Sequence, residues 1–178
     1  DPQFQLQLAD YALLAQDLDQ AKTAMDHAMQ LVSPERLGYD GLVIAIRVAN
    51  AYEEYGRAIE LAADAIRLDP QRPEAYQNAA YAYLRNGGTE AAIALLHGID
   101  PKVSALYPDL YLLLAELQLT VKDKEGADAT AERFLSVFPD GKAYYDYLQA
   151  RVMILDENYA DAVETLRNVV NANTTYAP

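Results

Sequence analysis

The stretch PEAYQNAAYAYLRNGG, residues 73–88, decides the fold of this chain because its pattern recurs along the whole sequence. It opens on a proline, carries tyrosines and alanines at helical spacing, and closes on two glycines. Proline is favoured in the first turn of a helix and glycine just after the last turn. The stretch therefore predicts an amphipathic helix that ends in a tight turn, and the following residues predict a second helix.

The second helix begins in the same way five times, with a polar turn followed by an alanine. The alanines in register are Ala21, Ala58, Ala92, Ala127 and Ala162, and they are separated by 37, 34, 35 and 35 residues. No strand-like alternation persists between the turn signals, and glycine and proline interrupt any continuous heptad pattern. A helix–turn–helix unit with a period near 34 residues is typical of one class of helical repeat.

The residues around these alanines resemble tetratricopeptide repeats. The third unit carries the resemblance through Tyr76, Ala79, Ala80, Tyr83, Gly87 and Ala92, and the fourth through Tyr111, Leu114, Ala115, Ala127, Ala131, Phe134 and Pro139. The resemblance implies an all-α fold, a tetratricopeptide-type α-solenoid of antiparallel helix pairs stacked into a right-handed superhelix. One array would cover residues 1–178, with repeats at about 2–35, 39–71, 73–103, 108–140 and 142–175.

Several residues depart from the family pattern. Gln5 and Asp146 stand where a large aromatic residue is usual, and Gln118 and Gln149 occupy positions that are normally apolar. Gly98 and the proline three residues later should cut the second helix of the third unit short. We therefore expect irregular packing in that unit.

Prolines open three of the first helices, at Pro2, Pro73 and Pro108. One further step of 35 residues after Ala162 puts the start of the next first helix at residue 178, which is Pro178. This spacing suggests that the chain is a segment of a longer protein. The last helix would then expose an apolar face, because helical arrays normally end in a polar capping helix. We expect that face to favour self-association.

Composition limits the kind of partner. Acidic residues exceed basic ones by 27 to 14, which gives a formal charge of −13 and argues against nucleic acid or an anionic membrane as a partner. The sequence contains no cysteine and no apolar run long enough to span a membrane. The alanine-rich, acidic composition looks bacterial, and cytoplasm and periplasm are both compatible with it.

The resemblance also implies where a partner would bind, because the first helices of tetratricopeptide arrays line a concave groove. The groove positions transferred by register include Asp10, Leu13, Arg47, Asn50, Gln77, Tyr81, Leu84, Glu116, Leu119, Tyr144, Tyr147 and Arg151. Tyrosine and arginine are enriched at binding hot spots. The alternative is that the leucines pack against the next helix, and that the tyrosines near residue 145 belong to the core.

The sequence shows no catalytic pattern. His27 and His97 are the two histidines, they are far apart, and we interpret both as surface or interhelical residues. We predict no metal, no cofactor and no enzymatic activity, since phosphate-binding and calcium-binding loop motifs are missing. The favoured function is a scaffold for a protein or peptide partner within a larger assembly, for example a bacterial envelope or export machine. The alternative is a self-assembly module or the regulatory region of a larger enzyme.

Overall fold

The computed structural model describes residues 1–174, and the described residues form helices and no strand. The helices are α1 (Pro2–Leu14), α2 (Leu18–Leu31), α3 (Gly38–Ala51), α4 (Tyr55–Leu68), α5 (Pro73–Arg85), α6 (Thr89–His97), α7 (Pro101–Ser104), α8 (Pro108–Thr120), α9 (Lys124–Val137), α10 (Lys142–Leu155) and α11 (Tyr159–Thr174). Short 3-10 helices at Pro34–Arg36 and Pro139–Gly141 precede α3 and α10. The predicted all-α fold class is confirmed, and the boundary expected at Pro178 lies outside the described residues.

The chain divides into two compact units, Asp1–Leu95 and Leu96–Pro178. In unit 1, α1 pairs with α2 and α3 with α4, and α5 packs against α3 and α4. In unit 2, α8 pairs with α9 and α10 with α11, and α10 also packs on α8 and α9. Turns of three residues join the helices of each pair, so the partners must run in opposite directions.

The alanines that define the register are buried between packed helices. All five, namely Ala21, Ala58, Ala92, Ala127 and Ala162, are at most 1% exposed. A second set on the first helices is equally buried and consists of Ala9, Ile46, Ala80, Ala115 and Ala150. A small side chain lets two helix backbones approach while larger neighbours fill the grooves beside it. The repeated alanine is therefore a packing requirement of the fold.

Each turn between paired helices has the same backbone geometry. In the fourth repeat, the N–H of Lys122 donates to the carbonyl of Leu119 at 3.1 Å, and the N–H of Asp123 donates to that of Gln118 at 2.8 Å. This pair of bonds is the Schellman motif, which places one residue in the left-handed region. That residue is Gln16, Glu53, Gly87, Lys122 or Glu157, with φ between 59° and 78°. Only the third repeat supplies the glycine that this conformation favours.

Replacing Lys122 by glycine should therefore stabilise unit 2. Lys122 is exposed with φ at 61°, and a left-handed non-glycine residue carries a strain of about 1–2 kcal/mol that glycine removes. After the greater freedom of glycine in the unfolded chain is subtracted, we expect a gain of about 0.5–1 kcal/mol in urea denaturation. The reverse change, Gly87→Ala, should cost about 1 kcal/mol, and a loss of stability in Lys122→Gly would contradict the interpretation.

The third repeat is irregular, as expected. Helix α6 is 9 residues long, whereas α4 and α9 each have 14. Pro101 opens the separate short helix α7, whose first turn is capped by the Asp100 carboxylate accepting from the N–H of Lys102 at 2.8 Å. The sequence predicted the break but not the additional helix. Within the described part of the chain, no helix combines the length and the apolar character that crossing a bilayer requires.

Candidate functional site

Unit 2 contains a cleft of about 470 Å³ between α8, α10 and α11. Its lining residues are Leu112, Glu116, Ala143, Tyr144, Tyr147, Leu148 and Val169. We call this the unit 2 cleft. The lining is mainly apolar with a few polar groups, and the volume falls in the usual range for ligand pockets, about 300–1,000 Å³. Of the residues transferred by register, Glu116, Tyr144 and Tyr147 meet here.

Tyr144 forms an exposed aromatic wall of the cleft, held from below by the core. Its ring lies edge-on to Phe134, with 6.2 Å between centroids and 83° between planes. Phe134 is almost completely buried, and a Cβ added at Gly141 would lie 2.6 Å from its Cε1 atom. The buried ring therefore has little freedom, and Tyr144 stands on a rigid support although 56% of it is exposed.

Three hydrogen-bonded residues fix the polar edge of the cleft. The Arg151 guanidinium lies 3.1 Å from the Glu116 carboxylate and donates to the Tyr147 hydroxyl at 2.8 Å. Burial opposes the charge of Arg151, but the bond to Tyr147 and the nearby Glu116 together raise its pKa above the ordinary value. Arg151 was predicted to contact a partner directly. In the structure it pairs with Glu116 and donates to Tyr147, and its contact with a partner stays a prediction.

In unit 1, the charged and aromatic residues that were predicted to line the groove contact other side chains of the same unit. Arg47 donates to the Asp10 carboxylate at 2.6 Å, so its charge is also compensated within the fold. Tyr81 is exposed and lies edge-on to Tyr55, with 6.4 Å between ring centroids. The Tyr55 hydroxyl accepts a hydrogen bond from Arg85 at 3.2 Å. These contacts leave the Tyr81 ring as the main exposed aromatic surface of this group.

Two of the predicted groove residues are buried, and for these the transfer by register was wrong. Leu119 is 4% exposed and packs in the core that contains Ala127 and Leu148. Asn50 is buried as well, and its amide donates to the backbone carbonyl of Asn78 at 3.2 Å. Neighbouring helices cover both side chains, so neither presents a surface to a partner.

The remaining predicted positions differ in how far they reach the surface. Leu13 is half-buried against the core of unit 1, as the packing alternative expected. Gln77 is half-buried, and Leu84 is exposed. Neither residue lines the unit 2 cleft. Together with Tyr81, they stay candidates for a contact surface on unit 1.

The histidines do not form a reactive centre. His27 is exposed, and the Nε2 atom of His97 lies 3.3 Å from the amide nitrogen of the buried Gln118. Gln118 also accepts a hydrogen bond from Thr130 at 2.8 Å, which explains how a polar residue occupies an apolar position. Among residues 1–174, no three histidine, aspartate or glutamate side chains cluster closely enough to hold a metal ion.

Comparison with known proteins agrees with this architecture. A tetratricopeptide-repeat family model matches residues 49–105. MamA from Desulfovibrio magneticus RS-1 is 12% identical and superimposes with a TM-score of 0.75 over 99% of this chain and 97% of its own. A tetratricopeptide repeat protein from Parabacteroides merdae is 14% identical, with a TM-score of 0.79 over 97% of this chain and 67% of its own.

YrrB, described as a tetratricopeptide protein with an unusual peptide-binding site, is 16% identical. Its TM-score is 0.66 over 99% of this chain and 88% of its own. No protein with a curated description matches the sequence significantly. At these identities the structural matches establish the fold. The chain has the tetratricopeptide-repeat architecture, and the resemblance predicted from the sequence is confirmed.

Proposed function

We propose that this chain is a non-catalytic scaffold that binds a segment of a partner protein in the unit 2 cleft. The observation that supports the proposal most strongly is the cleft itself, an open apolar space of about 470 Å³ beside the exposed ring of Tyr144. Exposed aromatic side chains on a rigid support are the usual anchors of protein interfaces. YrrB, which shares the fold, is described by its peptide-binding site.

The chemistry of the cleft indicates what kind of segment fits. Leu112 and Val169 would flank an apolar or aromatic side chain above the buried Leu148, and Tyr144 would cover it. The Tyr147 hydroxyl and the Glu116 carboxylate at the edge can accept hydrogen bonds from the backbone N–H groups of a peptide. The formal charge of −13 favours a segment with basic flanking residues, because long-range attraction speeds their encounter.

The proposal contains no chemical step. Of the lining residues, Glu116 is the one that carries a charge, and its carboxylate is held by Arg151. The tyrosine hydroxyls have no histidine or lysine beside them in the lining that could act as a general base. The proposed setting is the larger assembly implied by the resemblance, for example a bacterial envelope or export machine, in which the chain would join components.

Removal of the aromatic wall should weaken peptide binding. Peptides selected from a displayed random library on the immobilised protein should share an apolar or aromatic anchor, and one of them, fluorescently labelled, serves as the probe. We expect Tyr144→Ala and Tyr147→Ala each to lower its affinity about tenfold or more in anisotropy titrations, because each removes part of the contact around the anchor.

The matched control is Tyr159→Ala. Tyr159 also lies in unit 2 and is 59% exposed, but it does not line the cleft, so its loss should leave affinity unchanged. Equal binding by wild type and both cleft variants would reject the unit 2 cleft as the binding site. A library that yields no binding peptide at all would count against the scaffold function itself.

A further inference from the structure

Helix α1 exposes aromatic side chains on a face that is buried in other first helices. Tyr11, ten residues before the aligned alanine Ala21, is 69% exposed, and Phe4 on the same helix is 61% exposed. The residues ten positions before the aligned alanines of α3, α5 and α10 are Val48, Ala82 and Val152, and all are buried. Each of those helices packs on a preceding helix pair of its own unit, and this packing covers the position.

Helix α11 exposes the kind of apolar face on which a following first helix would pack. Val163 and Val170, which lie one and eight residues after Ala162, are 47% and 59% exposed. In α4 the same positions are Ile59 and Ile66, which pack against the core of unit 1. A crevice of about 280 Å³ runs along the exposed face of α11, and its lining residues are Val163, Leu166, Arg167, Val170 and Asn171.

We propose that these two faces bind each other between molecules, with α1 of one copy docking on α11 of the next. The occupant is a second copy of this chain, because the chain already makes this contact internally. Three times within its units, a first helix covers the helix pair before it, and α1 has the corresponding apolar face. The rings of Phe4 and Tyr11 are large enough to fill the crevice that the smaller residues of α11 leave open.

Charge at one register position supports the same pairing. The residues eleven positions before the aligned alanines are Asp10, Arg47, Tyr81, Glu116 and Arg151. Neighbouring residues of this series pair within the units, Asp10 with Arg47 at 2.6 Å and Glu116 with Arg151 at 3.1 Å. A following copy would place its own Asp10 next to Arg151, so that an acid again stands beside a base.

The contact is heterologous, since it joins two different faces. Each molecule carries one face of each kind, so association continues beyond the dimer instead of closing as a two-fold pair. Sedimentation velocity should show a weight-average mass that rises with the concentration of wild-type protein. Tyr11→Asp and Val170→Asp should each remain monomeric at the same concentrations, because burial of an unpaired carboxylate is unfavourable.

The decisive test is to mix the two variants. In Tyr11→Asp the α11 face is intact, and in Val170→Asp the α1 face is intact, so an equimolar mixture should form a dimer and no larger species. Leu106→Asp is the matched control, because Leu106 is an exposed apolar residue outside both faces and its variant should associate like wild type. Far-ultraviolet circular dichroism and thermal melting verify that each variant is folded.

Three results would overturn the proposal. One is a wild-type protein that is monomeric at every concentration. Another is self-association of Tyr11→Asp to the wild-type extent, which would mean that α11 pairs with itself. The third is a mixture of the two folded variants that remains monomeric although the wild type associates.

Discussion

Replacing Phe134 by alanine is expected to lower the free energy of unfolding of unit 2 by about 3–5 kcal/mol. Phe134 is 1% exposed, and its ring contacts Tyr111, Phe138 and Tyr144 at centroid distances between 5.3 and 6.2 Å. Truncation removes the buried ring and leaves a cavity that these aromatic neighbours cannot easily fill. Urea denaturation followed by circular dichroism measures the loss.

Phe4→Ala is the matched control for this prediction. It is the same substitution at a phenylalanine that is largely exposed, so at protein concentrations too low for self-association we expect a change within about 0.5 kcal/mol. Phe134→Ala should also weaken peptide binding, since Tyr144 loses the ring against which it rests. A loss below about 1 kcal/mol for Phe134→Ala would show that the aromatic group does not hold unit 2 together.

Enlarging an aligned alanine is the second change with a large expected effect. Ala127→Leu should lower the free energy of unfolding by about 1–3 kcal/mol, because Ala127 is 1% exposed and packs in a core with Ala115 and Leu148. The added atoms would have to separate helices that are in close contact. Thermal and urea denaturation both report the effect.

Ala129→Leu provides the comparison, because Ala129 is an exposed residue two positions further along the same helix. Leucine and alanine have similar helix propensities, so this variant should unfold almost like wild type. Equal tolerance of leucine at both positions would contradict the view that the register alanines mark the closest helix contacts.

The fold was predictable because the repeat imposes the same packing constraint several times. Ala21, Ala58 and Ala92 are recognisable as one position because the same small residue recurs there, and all three are buried. The turns were harder to predict from sequence. Their left-handed residue is glycine once, at Gly87, and elsewhere a polar residue such as Lys122, whose conformation follows from the Schellman hydrogen bonds.

The candidate site was only partly predictable. The register identified the helix face that carries Tyr144 and Tyr147, and the structure brings these residues together. The register could not show how far neighbouring helices cover that face, so the buried residue Leu119 was assigned to the groove. Val169 was missed because it reaches the cleft from α11, and that contact depends on tertiary packing.

The partners of the charged groove residues could have been found in the sequence. Asp10 and Arg47 are 37 residues apart, and Glu116 and Arg151 are 35 apart, so each pair joins equivalent positions of adjacent repeats. Opposite charges separated by one repeat are a signal for such a bridge. Gln118 and Thr130 gave no comparable signal, because their hydrogen bond depends on how α8 packs against α9.

The central claim is that the unit 2 cleft binds a peptide segment, and methyl NMR tests it most directly. Protein labelled at leucine and valine methyl groups is titrated with the peptide selected from the random library. The account predicts that the methyl signals of Leu112, Leu148 and Val169 shift or broaden, while those of Leu42 in the core of unit 1 stay unchanged. Peptide binding that leaves Leu112, Leu148 and Val169 unperturbed would contradict it.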